Sequence, residues 1–233
     1  MKNFRILGAV LFLLILSAAN VDAQTRVAFT GGVEFAQTEG HNYSMWPGGS
    51  TSGFSAGLAA IIPTSGAFEF EFHGTYSRMG RASSYHGPVS IPAWSNDTIR
   101  TARVVSGNQL GLTALGRVNL PRMANGLRTY VAAGPALSWE VSCHVKSTVY
   151  ESPYHWDTTG TTTSSCRGRD RLDFGLAGAL GLEYRSAGDV GVTLGTVYTH
   201  GIRNLTKALY QGRGESATSR AVTIRAGLVY RIG

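Results

Sequence analysis

Apolar and polar residues alternate with a period of two through most of this chain. The clearest case is the segment 67–76, in which four aromatic residues alternate with two glutamates, a histidine and a threonine. Successive side chains of a β-strand point to opposite faces of a sheet, whereas a helix would scatter both sets around its circumference. The alternation predicts eight strands, at 25–36, 53–62, 67–76, 108–120, 127–142, 171–185, 190–200 and 220–232.

The segments between these strands alternate between short and long. The connections 63–66, 121–126 and 186–189 are short and combine Pro, Gly, Ser and Asp, which is turn chemistry. The connections at about 37–52, 80–107, 143–170 and 206–219 are long and polar. Membrane barrels have short periplasmic turns and longer external loops. We therefore predict an all-β fold, an eight-stranded antiparallel up-and-down transmembrane β-barrel with both termini periplasmic.

The two faces of the predicted strands differ in charge, which raises the question of which face points outward. A soluble barrel of the lipocalin type would hide the apolar face, and it remains the weaker alternative. Strands of this length match the roughly 9–11 residues that cross a bilayer, and an eight-stranded interior is only wide enough for side chains. We expect the charged face to fill the lumen with paired charges, from Arg26, Glu34, Glu69, Glu71, Arg117, Arg128, Glu140, Asp173, Glu183, Arg185, Arg225 and Arg231.

The first 23 residues have the pattern of an export signal. Lys2 and Arg5 precede an almost wholly apolar run at 6–19, and Val21 and Ala23 are small residues suited to a cleavage site. That run is shorter than the about 20 residues of a membrane-spanning helix. We expect residues 1–23 to be a cleaved signal peptide and residues 24–233 to be the barrel domain.

Composition agrees with an exported β-protein that binds lipid. The chain has 30 glycines, which disfavours a helical protein, and a formal net charge of +7. An exported chain seldom meets nucleic acid, so the expected partners are outer-membrane lipid and the phosphates of lipopolysaccharide. We expect an external basic rim, with generic solvated charge as the alternative, made of Arg78, Arg81, Arg100, Arg103, Arg167, Arg169, Arg203, Lys207 and Arg213.

Two cysteines, Cys143 and Cys166, follow the export signal. Export places them in an oxidising compartment, and two cysteines allow one pairing, so we expect a disulfide. The disulfide would cross-link the two ends of the loop 143–170, which carries Tyr150, Tyr154 and Trp156. Exposed aromatic residues on a cross-linked loop suggest a surface ligand. Protection of the loop from proteolysis explains the disulfide equally well.

Four segments resemble the outer-membrane protein β-barrel domain family, also called porin-family or PorT-like proteins, which share the architecture of OmpA and OmpX. They are 130–135 (YVAAGP), 172–176 with 181–184 (LDFGL, GLEY), 198–205 (YTHGIRNL) and 226–231 (AGLVYR). The resemblance implies an outer-membrane location and this fold, without one defined activity. Such barrels often finish on an aromatic residue that the insertion machinery reads, whereas this chain finishes Tyr-Arg-Ile-Gly.

His200 is the sharpest candidate for catalysis. Its surroundings resemble outer-membrane lipid A deacylases, but Ile202 stands where their nucleophilic serine would lie, and a general base then has nothing to activate. The loop histidines have no spacing that requires a metal. We therefore predict a structural or surface-interaction protein with no catalytic site and no cofactor. A narrow porin-like channel and a lipid-modifying enzyme are the alternatives.

Overall fold

The computed structural model describes the barrel strands and parts of their connections. The described residues are 25–40, 48–49, 51–64, 66–88, 98–121, 126–152, 157–165, 172–185, 188–202 and 217–232. The predicted signal peptide lies outside them. In the part of the chain that the structure describes, no helix is long and apolar enough to cross a membrane.

The described chain forms ten β-strands, and every pair of neighbours is antiparallel. Their bounds are β1 Thr25–Gly40, β2 Gly48–Gly49, β3 Thr51–Pro63, β4 Phe68–Pro88, β5 Thr98–Asn119, β6 Leu127–Ser152, β7 Asp157–Ser165, β8 Leu172–Arg185, β9 Val190–Gly201 and β10 Ala217–Ile232.

Eight of these strands close into a ring. The order is β1, β3, β4, β5, β6, β8, β9 and β10, and β10 pairs with β1 to complete the circle. Because each strand of the ring has a partner on both sides, this sheet has no free edge. The short strands β2 and β7 lie outside the ring and pair only with β4 and β6. The predicted eight-stranded antiparallel barrel is confirmed.

The two ends of the barrel are built differently. The three short connections, β3–β4, β5–β6 and β8–β9, lie at the same end as the paired residues Thr25 and Ile232. We call this the short-turn end, and the other the long-connection end. A left-handed glycine completes two of the short turns, Gly66 with φ 68° and Gly126 with φ 82°.

Two predicted loops are wrong in extent. The segment 80–107 was expected to be a loop, but β4 continues to Pro88 and β5 starts at Thr98, in unbroken register. The segment 143–170 likewise contains the end of β6 and the strand β7. The prediction ended each strand where apolar alternation stops. A β-ladder is held by backbone hydrogen bonds, so the pairing continues where the alternation of apolar and polar side chains has ended.

Large apolar side chains cover the outside of the ring, while its inside holds small and charged ones. Phe29 and Leu180 are 64% and 61% exposed, whereas Arg117 and Glu183 are 1% and 0% exposed. Among the described residues, buried apolar side chains form two small clusters, one around Leu115 and one around Ile61. The described interior therefore combines mostly small apolar side chains with buried charged and polar ones.

Candidate functional site

The interior of the barrel divides into two halves of different chemistry. The half next to the short-turn end holds a connected set of ion pairs between four arginines and three glutamates. We call it the charged cluster: Arg26, Glu69, Glu71, Arg117, Glu183, Arg185 and Arg225.

Glu183 lies at the centre of the charged cluster and is fully buried. Its Oε1 accepts hydrogen bonds from Arg26 at 2.6 Å and from Arg185 Nη2 at 2.5 Å, and its Oε2 accepts one from Arg117 at 2.5 Å. Three guanidinium groups from β1, β5 and β8 therefore converge on one carboxylate. Charge-assisted hydrogen bonds of this kind are the strong class.

The other two glutamates connect this centre to the rest of the ring. Glu69 contacts Arg26 and lies 3.3 Å from Nε of Arg117. Glu71 lies 2.7 Å from Arg225 Nη2 and 3.7 Å from Arg117 Nη1. Arg117 thus contacts all three carboxylates and joins β5 to β4 and β8 across the lumen.

Two residues that the sequence prediction left out of the charge network complete this packing. The guanidinium of Arg117 lies over the ring of Tyr130, 3.8 Å from its centroid. The ring of His73 bridges Arg225, 2.5 Å from Nδ1, and the hydroxyl of Thr30, 3.0 Å from Nε2. Since Arg225 can only donate, Nδ1 accepts and Nε2 carries the proton. In the sequence, both His73 and Tyr130 alternate in step with the charged residues, and this was the one available sign that they face the lumen.

A cavity of about 160 Å³ occupies the half next to the long-connection end. We call it the polar cavity after its carboxylate, hydroxyl and amide side chains, although apolar atoms form the larger part of its wall. Glu34, Glu140 and Asp173 lie along it, together with hydroxyl and amide side chains. The contacts of Arg225 and His73 form its boundary toward the charged cluster. The hydroxyl and amide residues are Thr30, Ser55, Thr75, Ser77, Asn108, Gln109, Thr113, Ser138, Thr199, Ser219 and Thr223.

The structure places ten of the twelve charges predicted for the lumen in two groups. Seven form the charged cluster, and Glu34, Glu140 and Asp173 lie along the polar cavity instead. The other two lie near the short-turn end. In the backbone ladders, Arg128 of β6 is opposite Glu183, and Arg231 of β10 is opposite Arg26. Sequence pattern assigns a residue to the inner face but leaves its height in the barrel undefined.

Most of the predicted basic rim lies outside the described side chains. Arg78 is exposed and pairs by backbone with Phe54 on the neighbouring strand. The backbone of Arg81, Arg100 and Arg103 belongs to β4 and β5. The remaining four arginines and Lys207 lie outside the described residues.

Cys143 is disulfide-bonded and lies along the polar cavity. Its predicted partner, Cys166, lies outside the described residues, as do the loop aromatics Tyr154 and Trp156. The disulfide is thus attached to the wall of β6 at the point where this strand continues beyond the barrel.

The structure places His200 on the outer face. Its ring stacks on Tyr198, with centroids 6.5 Å apart, and Tyr198 is 43% exposed. Ile202, at the position of the expected nucleophile, is 64% exposed. Ser219, by contrast, faces the interior, where it donates a hydrogen bond to Asp173.

Comparison with known proteins gives fold similarity alone. The sequence matches no family model and no curated protein. Among solved structures, it is similar to Neisserial surface protein A, with 14% identity and a TM-score of 0.45, over 88% of this chain and 97% of that one. It is also similar to Ail, the attachment invasion locus protein of Yersinia pestis, in complex with the heparin analogue sucrose octasulfate, with 12% identity and a TM-score of 0.37, over 89% and 99%. A third similar structure is the outer membrane protease OmpT of Escherichia coli, with 9% identity and a TM-score of 0.39, over 92% of this chain and 100% of that one.

Proposed function

We propose that this chain is an integral protein of the bacterial outer membrane with a structural or surface-interaction role. The observation that carries the proposal is the inverted distribution of side chains around the closed sheet. Phe29, Phe70, Leu180 and Leu228 are between 45% and 64% exposed on the outside, while the charged cluster is buried inside.

An apolar surface of this extent fits lipid better than water. Soluble monomers rarely expose contiguous apolar patches larger than a few hundred Å². Here the exposed apolar residues come from all eight strands of the ring. In hydrocarbon every backbone polar group needs an internal partner, which a closed barrel provides. The fold and the surface therefore favour the same environment.

Aromatic residues mark two levels on the outer face. Tyr184 and Tyr230 lie near the short-turn end, and Phe35, Tyr76 and Tyr198 near the long-connection end. Outer-membrane barrels carry aromatic girdles at both membrane interfaces, about 25 Å apart. This pattern supports a transmembrane orientation with the short turns and both termini on the periplasmic side.

The charged cluster would close the lumen to ions. Arg117, Tyr130 and Glu183 are each at most 1% exposed, and they come from three different strands of the ring. An eight-stranded interior has room for side chains and no aqueous channel. This packing favours a closed barrel over the porin-like alternative.

The surface role rests on the strands that continue past the polar cavity. In β4, β5 and β6 the ladder extends to the pairs Pro88–Thr98 and Thr98–Ser152, and β7 adds a fourth strand. Residues 160–165 of β7, which are glycine, threonine and serine, are exposed. We infer that this sheet projects outside the cell and presents the loop 143–170 to a surface partner, with the disulfide of Cys143 to Cys166 fixing its base.

Lipid contacts and biogenesis complete the proposal. We propose that residues 1–23 are removed on export, that the insertion machinery of the outer membrane assembles the barrel, and that Arg78 with the other rim residues binds lipopolysaccharide phosphates. Arginine suits this contact because its guanidinium binds phosphate bidentately. The role is non-enzymatic, which purified protein incubated with lipid A tests: we expect no product from the wild type or from His200→Ala.

Membrane fractionation combined with gel mobility tests the location. We expect the protein in the outer-membrane fraction, with a different mobility in unboiled and boiled samples, because a folded barrel resists detergent until heated. Recovery of the mature protein in the soluble fraction without detergent would contradict the proposal.

A further inference from the structure

The carboxylates in the two halves of the interior have different hydrogen-bond partners. In the charged cluster, Glu183 is surrounded by three guanidinium groups. Along the polar cavity, Glu34 and Asp173 are 8% and 9% exposed, and the donors described for them are hydroxyls, Ser77 for Glu34 and Ser219 for Asp173. Among the described residues, neither of these two carboxylates has an arginine or lysine partner.

Asp173 keeps one acceptor without a partner. Ser219 donates to its Oδ2, while Oδ1 is buried and has no hydrogen-bond partner among the described residues. Burying a charged acceptor without a partner is costly, and the cost is removed when a cation donates to it. Because Asp173 lies along the cavity, a molecule in the cavity can reach this oxygen.

Gly201 makes this placement of Asp173 possible. Asp173 is on β8 and Ser219 on β10, so their hydrogen bond passes over β9. A Cβ added at Gly201 would collide with the Ser219 hydroxyl and lie 3.2 Å from Cγ of Asp173. Glycine at this position therefore leaves room for the carboxylate to cross the inner face of β9.

We propose that the polar cavity binds a small organic cation carrying a primary ammonium group. Such a group presents three donors, which suits Asp173 Oδ1 and the hydroxyl groups around it. The cavity volume of about 160 Å³ suits a small ligand. Phe174, the phenylalanine beside the cavity, belongs to the outer face, 48% exposed, and so offers no aromatic wall of the kind that quaternary ammonium sites use.

Two arginines lie along the cavity. Arg220 follows the inward-facing Ser219 on β10 and so belongs to the outer face, which leaves Arg225 as the arginine at the cavity floor. Arg225 is bound to Glu71, at 2.7 Å, and to the ring of His73, so its charge is already matched. The described residues hold no group of three or more His, Cys, Asp or Glu side chains placed for a metal ion. Calcium is nevertheless a useful competitor, because it also seeks carboxylates.

Titration calorimetry on the detergent-folded full barrel tests the proposal with ethanolamine, its neutral counterpart ethylene glycol, and calcium chloride. We expect ethanolamine to bind and ethylene glycol to bind at least about tenfold more weakly, because hydrogen bonds to charged groups exceed neutral ones by this factor. Asp173→Asn should weaken ethanolamine binding about tenfold or more, and Glu34→Gln should weaken it as well. Asp189→Asn, which removes an exposed carboxylate in the β8–β9 turn, is the matched control and should leave binding unchanged.

Three results would overturn the proposal. They are equal binding of ethanolamine and ethylene glycol, no binding of either, and tight calcium binding that Asp173→Asn abolishes. The comparison of the two ligands uses the wild-type protein, so it decides the question even if a variant fails to fold. It is also independent of the membrane location, since a soluble barrel would contain the same cavity.

Discussion

The guanidinium of Arg117 lies 3.8 Å from the ring centroid of Tyr130. The two residues are diagonal neighbours on the inner faces of β5 and β6, where Arg117 pairs with Ala132, and both are 1% exposed. The ring shields one side of a cation whose edge donates to Glu183. Stacking and ion pairing on one side chain fix its orientation, and cation–π contacts strengthen when they are desolvated. Arg117 is therefore the residue around which the charged cluster is organised.

Loss of the central charge should destabilise the barrel strongly. Glu183→Gln keeps the shape of the side chain but leaves the guanidinium groups of Arg26, Arg117 and Arg185 without their shared counter-charge. Breaking a buried pair by removing one partner costs about 3–5 kcal/mol. Urea unfolding in lipid vesicles measures this cost. Asp189→Asn is the control and should change the unfolding free energy by less than about 0.5 kcal/mol, as exposed substitutions do.

Gly181 and Gly178 make a matched pair on one strand. A Cβ at Gly181 would lie 2.5 Å from the Tyr130 hydroxyl and 2.8 Å from the Leu194 carbonyl, whereas one at Gly178 would meet nothing within 4 Å. We expect Gly181→Ala to cost about 1–3 kcal/mol, the usual price of overpacking, and Gly178→Ala to be neutral.

A double-mutant cycle isolates the role of Tyr130 in that cost. Tyr130→Ala removes the ring that Gly181 accommodates, so the two changes should be non-additive by at least about 0.5 kcal/mol. Equal effects of the two glycine variants, or strict additivity with Tyr130→Ala, would show that Tyr130 does not pack on Gly181.

Because the lumen is closed, we expect the barrel to conduct no ions. Purified wild-type protein in planar bilayers should give no steady conductance, because the charged cluster fills the short-turn half of the interior. The double variant Arg117→Ala, Glu183→Ala removes one charge of each sign from the centre of the cluster and should admit small ions in brief openings. Steady single-channel currents from the wild type would instead support the porin-like alternative.

A charged residue introduced on the outer face tests whether that face contacts lipid or water. Leu180 is 61% exposed near the middle of β8. Arginine at the bilayer midplane costs a transmembrane barrel about 2–4 kcal/mol, and it costs little on the surface of a soluble protein. Unfolding of Leu180→Arg in lipid vesicles should show the larger cost. The same substitution near neutrality would argue against membrane insertion.

The sequence predicts the barrel well because the decisive pattern is local. Alternation from Phe68 to Tyr76 assigns each residue to a face, and the structure has the same faces. Strand ends were less predictable, since the pairs from Gly80–Ser106 to Pro88–Thr98 continue the ladder without regular alternation of apolar and polar residues to mark them.

Charge partners could not be read from the pattern. Arg26 and Glu183 are 157 residues apart, and their contact depends on how far each strand is shifted against the next around the ring. The same shift places Glu34 and Asp173 along the cavity, with Arg225 at its floor, while Arg26, Arg117 and Arg185 meet at Glu183. His73 and Tyr130 were on the predicted inner face, but only the assembled barrel brings them against Arg225 and Arg117.

Spin labels at Phe70 and Leu180 test most directly whether the outer face contacts acyl chains. Both residues point outward and are 45% and 61% exposed; a label at Ser138, beside the polar cavity, is the inward control. In lipid vesicles, the two outward labels should collide readily with oxygen and be protected from a water-soluble nickel complex, in contrast to Ser138. Free access of the nickel complex to both outward labels would contradict a membrane-spanning barrel.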